Sequence, residues 1–290
     1  MAPTTLTGAR IFDGQSLRDD LALVIDQGQI AALIPRATAR QAQQVSGILA
    51  PAFLDLQVNG GGGHLVSGTS TAADLAHLCA AHRALGSAGV LPTLITDTPE
   101  ATAQVIAAGR AAIGTPGFLG LHLEGPHLDP ARKGAHDPAL IRPMQPADLA
   151  RLCDAARALP ALMVTLAPES VTPDQIATLA AAGAVVSLGH SDCSFETAQA
   201  AFRAGARCAT HLFNAMSQLG NREPGLVGAV LAGSAQAGLI ADGIHVHPAT
   251  LRSALAARPD GLFLVTDCMA FAGTDLTEMA LNGRRVLRRS

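Results

Sequence analysis

"VVSLGHSDCSFETAQAAFRAGARCATHLF", residues 185–213, holds a strand, a helix and a second strand in one short run. "VVSLGH" (185–190) and "CATHLF" (208–213) are short, largely apolar stretches of strand length. Between them, "SFETAQAAFRAG" is alanine-rich with helical periodicity and closes on a glycine, which tolerates the left-handed turn after a helix. Two strands joined through a helix run parallel, because a tight turn cannot connect a parallel pair. Each strand carries a histidine near its C-terminal end, His190 and His211.

The same alternation begins at Pro51 and runs the length of the chain. "FLDLQVN" (53–59), "VLPTLI" (90–95), "FLGLHLE" (118–124) and "LMVTLA" (162–167) precede the pair, and "GLIAD" (238–242) and "LFLVTD" (262–267) follow it. Eight strands alternating with helices predict an α/β fold, a (β/α)8 TIM-type barrel over residues 51–290. Residues 1–50 read differently: "TTLTGARIF", "LALVID" and "QIAALIP", separated by "DGQS" and "DQGQ", predict part of a small β-sandwich domain. A dinucleotide-binding sheet is disfavoured, since "GGGG" (60–63) has neither GxGxxG spacing nor a P-loop ending.

Composition narrows the partners. The chain has 290 residues, 49% hydrophobic and 15% charged, with a net charge of −3, which offers no basic face to nucleic acid. The start "MAPTTLTGAR" has no signal-peptide pattern and no apolar run reaches bilayer length, so a cytoplasmic protein without membrane contact is expected. Five cysteines, Cys79, Cys153, Cys193, Cys208 and Cys268, are scattered and never form CxxC, which predicts reduced thiols and no cysteine metal site. The expected partner is a small molecule.

Polar residues gather at the C-terminal ends of the strand runs: Gln57, Asn59, Glu124, His190, His211, Asp242 and Asp267. In a barrel those ends meet at one mouth, where active sites of this architecture lie. Glu124, His190 and His211 form a carboxylate and two imidazoles, a common ligand set for a catalytic divalent ion with one position left open. Asp267 stands where a carboxylate can act as general base and then general acid. His136 lies in the long loop "GPHLDPARKGAHDPALIRP" and is a candidate for contacting substrate; His127, Arg132 and Lys133 of that loop are assigned surface roles. His122 reads as a buried, hydrogen-bonded filler. Arg222, near Asn214 in "HLFNAMSQLGNREPGLVG", is a candidate anion clamp, and "ADGIHVHP" adds His245 and His247.

The ordered segments "FLDLQVNGGGG", "LHLEGPHLDPARKGAHDP", "VVSLGHSD", "ATHLFNAM", "NREPGLVGAVL", "ADGIHVHP" and "LVTDCMAFAG" resemble the N-acetylglucosamine-6-phosphate deacetylases of the amidohydrolase superfamily. The resemblance spans nearly everything from Ala50 onward. It implies that Glu124, His190 and His211 bind the metal, zinc first with iron or cobalt as alternatives, and that Asp267 activates the hydrolytic water and protonates the departing amine. It implies further that His136 contacts the sugar and polarises the acetyl carbonyl. Asn214, Ala215, His245 and Arg222 would hold the 6-phosphate, with Arg222 supplied by the neighbouring subunit of a homodimer. The products would be glucosamine 6-phosphate and acetate, in amino-sugar catabolism.

Many amidohydrolases carry His-x-His at the end of the first strand, where it binds a second ion; here the pair is Gln57 and Asn59. Neutral amides are poor ligands beside imidazoles, so one ion per subunit is expected, with both amides in supporting roles. Two departures from the family pattern stand out: Ala52 replaces a usual glycine, and the chain ends at "NGRRVLRRS". Resembling chains run roughly a hundred residues further, so the last barrel helix and the returning β segment are expected to be missing, with lower stability as the consequence. A non-catalytic sugar-phosphate-binding remnant and a different amidohydrolase, a cyclic amidase or deaminase, are the competing readings.

Overall fold

A computed structural model describes residues 2–281 and 284–288, which divide into two compact units at Phe53/Leu54. The first unit holds two small sheets. One runs in the order Gln29–Pro35, Leu21–Asp26, Thr4–Thr7, Gln43–Gln44, and the other in the order Leu17–Arg18, Arg10–Phe12, Ile48–Leu49. The hairpin between Leu21–Asp26 and Gln29–Pro35 turns on Gln27 and Gly28, both at positive φ (49° and 79°), as a two-residue loop matched to strand twist requires.

The second unit is the barrel. Its strands are β1 (Phe53–Val58), β2 (Ser87–Leu94), β3 (Leu121–Glu124), β4 (Leu162–Leu166), β5 (Val185–Leu188), β6 (Cys208–Ala209), β7 (Gln236–Leu239) and β8 (Leu262–Leu264), hydrogen-bonded in that spatial order. Neighbouring pairs from β2 to β8 are parallel. The ends meet where a parallel bridge joins Val58 to Cys268, so the sheet comes round on itself.

Helices α1 (Ala72–Ala84), α2 (Pro99–Ala111), α3 (Pro146–Ala158), α4 (Pro173–Ala181), α5 (Phe195–Arg203), α6 (Gly225–Ala232) and α7 (Pro248–Ala257) separate the strands. Thr71, Thr98, Thr172 and Ser194 cap α1, α2, α4 and α5 with a side-chain oxygen that accepts a backbone N–H. Gly183 and Gly205 follow α4 and α5 at φ 99° and 122°, the second as the helical pattern before it predicts. Leucines and valines of strands and helices pack into one continuous core between the two layers.

Inside the barrel the layers change character along its axis. At one level Leu91, Met163 and Cys208 form an apolar cluster. At the next, His122 bonds Thr165, Thr165 bonds Thr210 and Thr210 bonds Ser187, at 2.6–2.7 Å, all nearly or fully buried. This satisfied polar layer confirms His122 as a hydrogen-bonded filler, and burial lowers its imidazole to about 4, which keeps it neutral.

Among the described residues β8 is followed by no helix. The chain instead forms a hairpin, β9 (Glu278–Leu281) with β10 (Arg284–Leu287), whose strands pair only with each other. Leu54 on β1 and Leu264 on β8 are 57% and 64% exposed, so this part of the barrel wall presents apolar side chains to solvent.

Candidate active site

Glu124 is the last residue of β3, while His190, His211 and Asp267 lie two, two and three residues beyond the ends of β5, β6 and β8. The sequence runs therefore overstate those strands. His190, His211 and Asp267 have left-handed backbones, with φ 47°, 30° and 50°, which turn the chain out of the sheet. Such conformations cost a side-chain-bearing residue on the order of 1–3 kcal/mol and persist where the surroundings hold them.

Glu124 Oε1 lies 3.0 Å from His211 Nε2 and 3.2 Å from His190 Nε2, and those nitrogens are 3.1 Å apart. Zinc bonds of about 2.0–2.1 Å in tetrahedral geometry separate neighbouring ligand atoms by about 3.3–3.4 Å. The three donor atoms thus already sit at nearly the spacing a single divalent ion needs. His190 Nδ1 lies 2.8 Å from the Arg132 carbonyl oxygen and must carry the proton to bond it, which leaves the Nε2 lone pair aimed at the common point. Gln57 Nε2 donates to Glu124 Oε1 at 3.0 Å and fixes the carboxylate from β1, two strands away.

The electrostatics fit a cation. Burial opposes ionisation of Glu124, yet the His190 and His211 imidazoles against its carboxylate hold it well below the usual carboxylate value. His211 shows the converse: burial works against its charge, but the Glu124 hydrogen bond and charge raise it to about 9. Because a ligating imidazole must be neutral, metal binding at these donors would be coupled to proton release.

Two further groups face the same space. His136 Nδ1 accepts from the Thr96 amide at 3.2 Å and bonds the Thr96 hydroxyl at 2.7 Å, so its proton resides on Nε2, 3.7 Å from Glu124 Oε2. Burial drives its imidazole down to about 3, and it is neutral. Asp267 is pushed up to about 6, first by burial and then by the charge of Glu124, while Asn59 Nδ2 donates to its Oδ1 at 2.6 Å. Glu124, His136, His190, His211 and Asp267 all line one cavity of about 580 Å³, within the range of small-molecule sites. Asn214, Ala215 and His245 line it too; His245 Nδ1 is 2.7 Å from Asp242 Oδ2.

No protein-family model matches the chain. It is 40% identical over 291 residues to an N-acetylgalactosamine-6-phosphate deacetylase of Shewanella sp. (strain ANA-3), covering 97% of this chain and 73% of that protein. It is 37% identical over 300 residues to the N-acetylglucosamine-6-phosphate deacetylase of Homo sapiens, covering 97% and 72%. A crystal structure of N-acetylglucosamine-6-phosphate deacetylase from Pasteurella multocida superposes with a TM-score of 0.94 at 33% identity, over 99% of this chain and 77% of that one. The chain belongs to this deacetylase family.

As a member of the family, within the amidohydrolase superfamily, it is a metal-dependent hydrolase, and among the described residues Glu124, His190 and His211 are the group placed to hold an ion. Arg222 stands apart from this deacetylase-family cavity: it is exposed and does not line it. His127 corrects an expectation. It is 2% exposed rather than on the surface, and its Nδ1 bonds the Arg142 carbonyl oxygen at 3.1 Å, because its loop folds back and bonds Ala167 after β4. Arg132 does lie at the surface, paired with Asp192 at 2.7 Å. Thr96, which sets the His136 tautomer, and the hydroxyls of Thr165, Ser187 and Thr210 escaped the sequence reading. A lone hydroxyl inside an apolar strand run was the available signal for Thr165 and Ser187.

Proposed function

We propose that the chain hydrolyses the N-acetyl group of N-acetylglucosamine 6-phosphate, giving glucosamine 6-phosphate and acetate. The observation that carries this reading is the shared cavity, which brings the Glu124, His190 and His211 donors, the His136 imidazole and the Asp267 carboxylate within reach of one substrate. A divalent ion held by Glu124, His190 and His211, zinc with iron or cobalt as alternatives, would supply Lewis acidity toward water and the acetyl carbonyl.

The remaining steps belong to the chain's own groups. Asp267 takes a proton from the attacking water and returns it to the departing amine nitrogen, a task suited to a carboxyl raised toward neutrality. His136 directs Nε2–H at the carbonyl oxygen as negative charge develops there, and its neutrality makes it a hydrogen-bond donor rather than a proton source. Gln57 and Asn59 hold the two carboxylates in place. Asn214, Ala215 and His245 receive the 6-phosphate, with Arg222 entering from the second subunit of a homodimer, which is why its exposure outside the cavity is compatible with the assignment. Binding energy from the phosphate then orients the acetamido group.

A second reading is N-acetylgalactosamine 6-phosphate, favoured by the 40% identity to a deacetylase named for that sugar. Acetate release from both epimers, with elemental analysis of the same sample, tests the proposal. Turnover of one or both identifies the substrate. Bound metal with no acetate from either sugar rejects deacetylation and leaves a non-catalytic binding protein.

A further inference from the structure

Asp55 and Gln57 on β1 and Asn59 just beyond its end alternate along the chain and serve three different partners. Gln57 reaches Glu124 and Asn59 reaches Asp267, but Asp55 touches neither. Its carboxylate accepts from the Thr266 amide (3.2 and 3.3 Å), the Thr266 hydroxyl (2.6 Å) and the Gln57 amide (3.2 Å), and it is 4% exposed. All of these donors are neutral, so Asp55 is a buried polar group held by hydrogen bonds alone, an arrangement that is costly unless each bond is well made.

The bonds converge on the residue next to Asp267. Thr266 Oγ1 also accepts from the Cys268 amide at 3.3 Å, the Asp267 amide donates to the Gln57 carbonyl at 3.0 Å, and the Asn59 amide donates to the Cys268 carbonyl at 2.9 Å. These contacts stand in for a strand pairing. β8 stops at Leu264, and no helix follows it among the described residues. These bonds hold the backbone that carries Asp267 at φ 50° from β1, while Val265 two residues earlier donates its amide to the Leu239 carbonyl of β7 at 3.0 Å.

We propose that Asp55 and Thr266 form a clasp that positions the Asp267 carboxylate for the reaction. Thr266 lines the cavity beside Asp267 and Asp55 does not; neither is placed as a proton carrier, and both act through Asp267, so they are positioning residues. The clasp rests on the functional reading above in assigning Asp267 the proton transfers. Its geometric part, that Asp55 and Thr266 fix the Asp267 backbone, does not depend on that reading.

The test uses the full chain loaded with metal and compares wild type, Thr266→Val, Thr266→Ser and Asp55→Asn. Thr266→Val keeps the side-chain shape and removes one hydroxyl, so it is the variant least exposed to folding failure. Amide exchange over residues 264–270 is expected to quicken about tenfold in Thr266→Val while the rest of the barrel is unchanged. kcat is expected to fall about 10–100-fold, the scale of a misplaced catalytic group, with KM and metal content near wild type. Thr266→Ser should restore both readouts, and Asp55→Asn should lower kcat in the same direction.

Unchanged exchange at 264–270 in Thr266→Val overturns the clasp. So does exchange that rises across the whole barrel together with loss of metal, or a loss that Thr266→Ser does not repair, since those mark a merely structural role. If wild type releases no acetate from either sugar, the functional reading fails separately, and exchange at 264–270 decides the clasp.

Discussion

Gln57 on β1 and Asn59 just past its end stand two residues apart, and each directs its amide N–H at a different carboxylate, Glu124 and Asp267. Both amides are thus engaged in orienting acids rather than presented as a ligand pair. Metal titration is expected to saturate at one equivalent per chain, and a second tightly bound equivalent would contradict the role given to the amides. Removing the Gln57 donor in Gln57→Leu should weaken metal binding about 10–100-fold, the usual cost of deleting a partner that orients a ligand, as read by competition with a chelator. Asp267→Asn preserves shape but cannot accept the proton from water. Its kcat is expected to fall about 10²–10⁴-fold with metal content unchanged, and a smaller loss would move the general base elsewhere.

The entry to α3 shows how one element is anchored away from the reaction. Asp148 accepts from the Gln145 amide in a capping box and from Arg142, whose Nη2 lies 2.8 Å from Asp148 Oδ1. The Arg142 hydrogen bond is the main cause that lowers the Asp148 carboxyl from 3.8 to about 2, and the side chain is only 8% exposed. A depressed value stabilises the fold where the acid is ionised in both states. The contribution, about 2 kcal/mol from the size of the shift, is complete at neutral pH, declines as pH falls below the unfolded-chain value and is gone below the folded one. Urea unfolding of Asp148→Asn against wild type should show that difference at pH 7 and about half of it at pH 3. A difference independent of pH would place the stabilisation in packing instead.

For the assembled molecule, the exposure of Arg222 outside the cavity of its own chain has a direct test. If each site borrows Arg222 from the second subunit, Arg222→Ala and Asp267→Asn are both weakly active alone, but a mixed dimer contains one complete site. Random mixing of the two variants should then restore about a quarter of wild-type activity, because half the dimers are mixed and each holds one intact site of two. No restoration on mixing would mean that Arg222 is not lent by the second subunit, and full activity of Arg222→Ala alone would leave it outside the reaction.

The eight strand runs, their order and some of the helices between them could be read from the chain because they depend on neighbours close in sequence. Burial periodicity, capping threonines and glycines after helices act over a few residues, and the chain folds locally as they dictate. Placement of Glu124, His190 and His211 at strand ends followed from the same pattern, since a parallel barrel gathers those ends at one mouth. The strand runs nonetheless extended through His190, His211 and Asp267, where left-handed backbones end the sheet early. Local pattern could not reveal that, because the energy that holds such conformations comes from distant partners.

Nor could it show that Thr96 sets the tautomer of His136 from forty positions away, that His127 is buried beneath its own loop, or that Asp55 holds Thr266 across the barrel seam. Sequence alone determined which residues can do chemistry and roughly where they lie. Tertiary structure decided which atom of each carries a proton, which carboxylate each amide serves and how β1 holds the end of β8. Barrel closure creates those contacts, joining residues separated by as many as 211 positions, and no repeat or spacing within one segment encodes them.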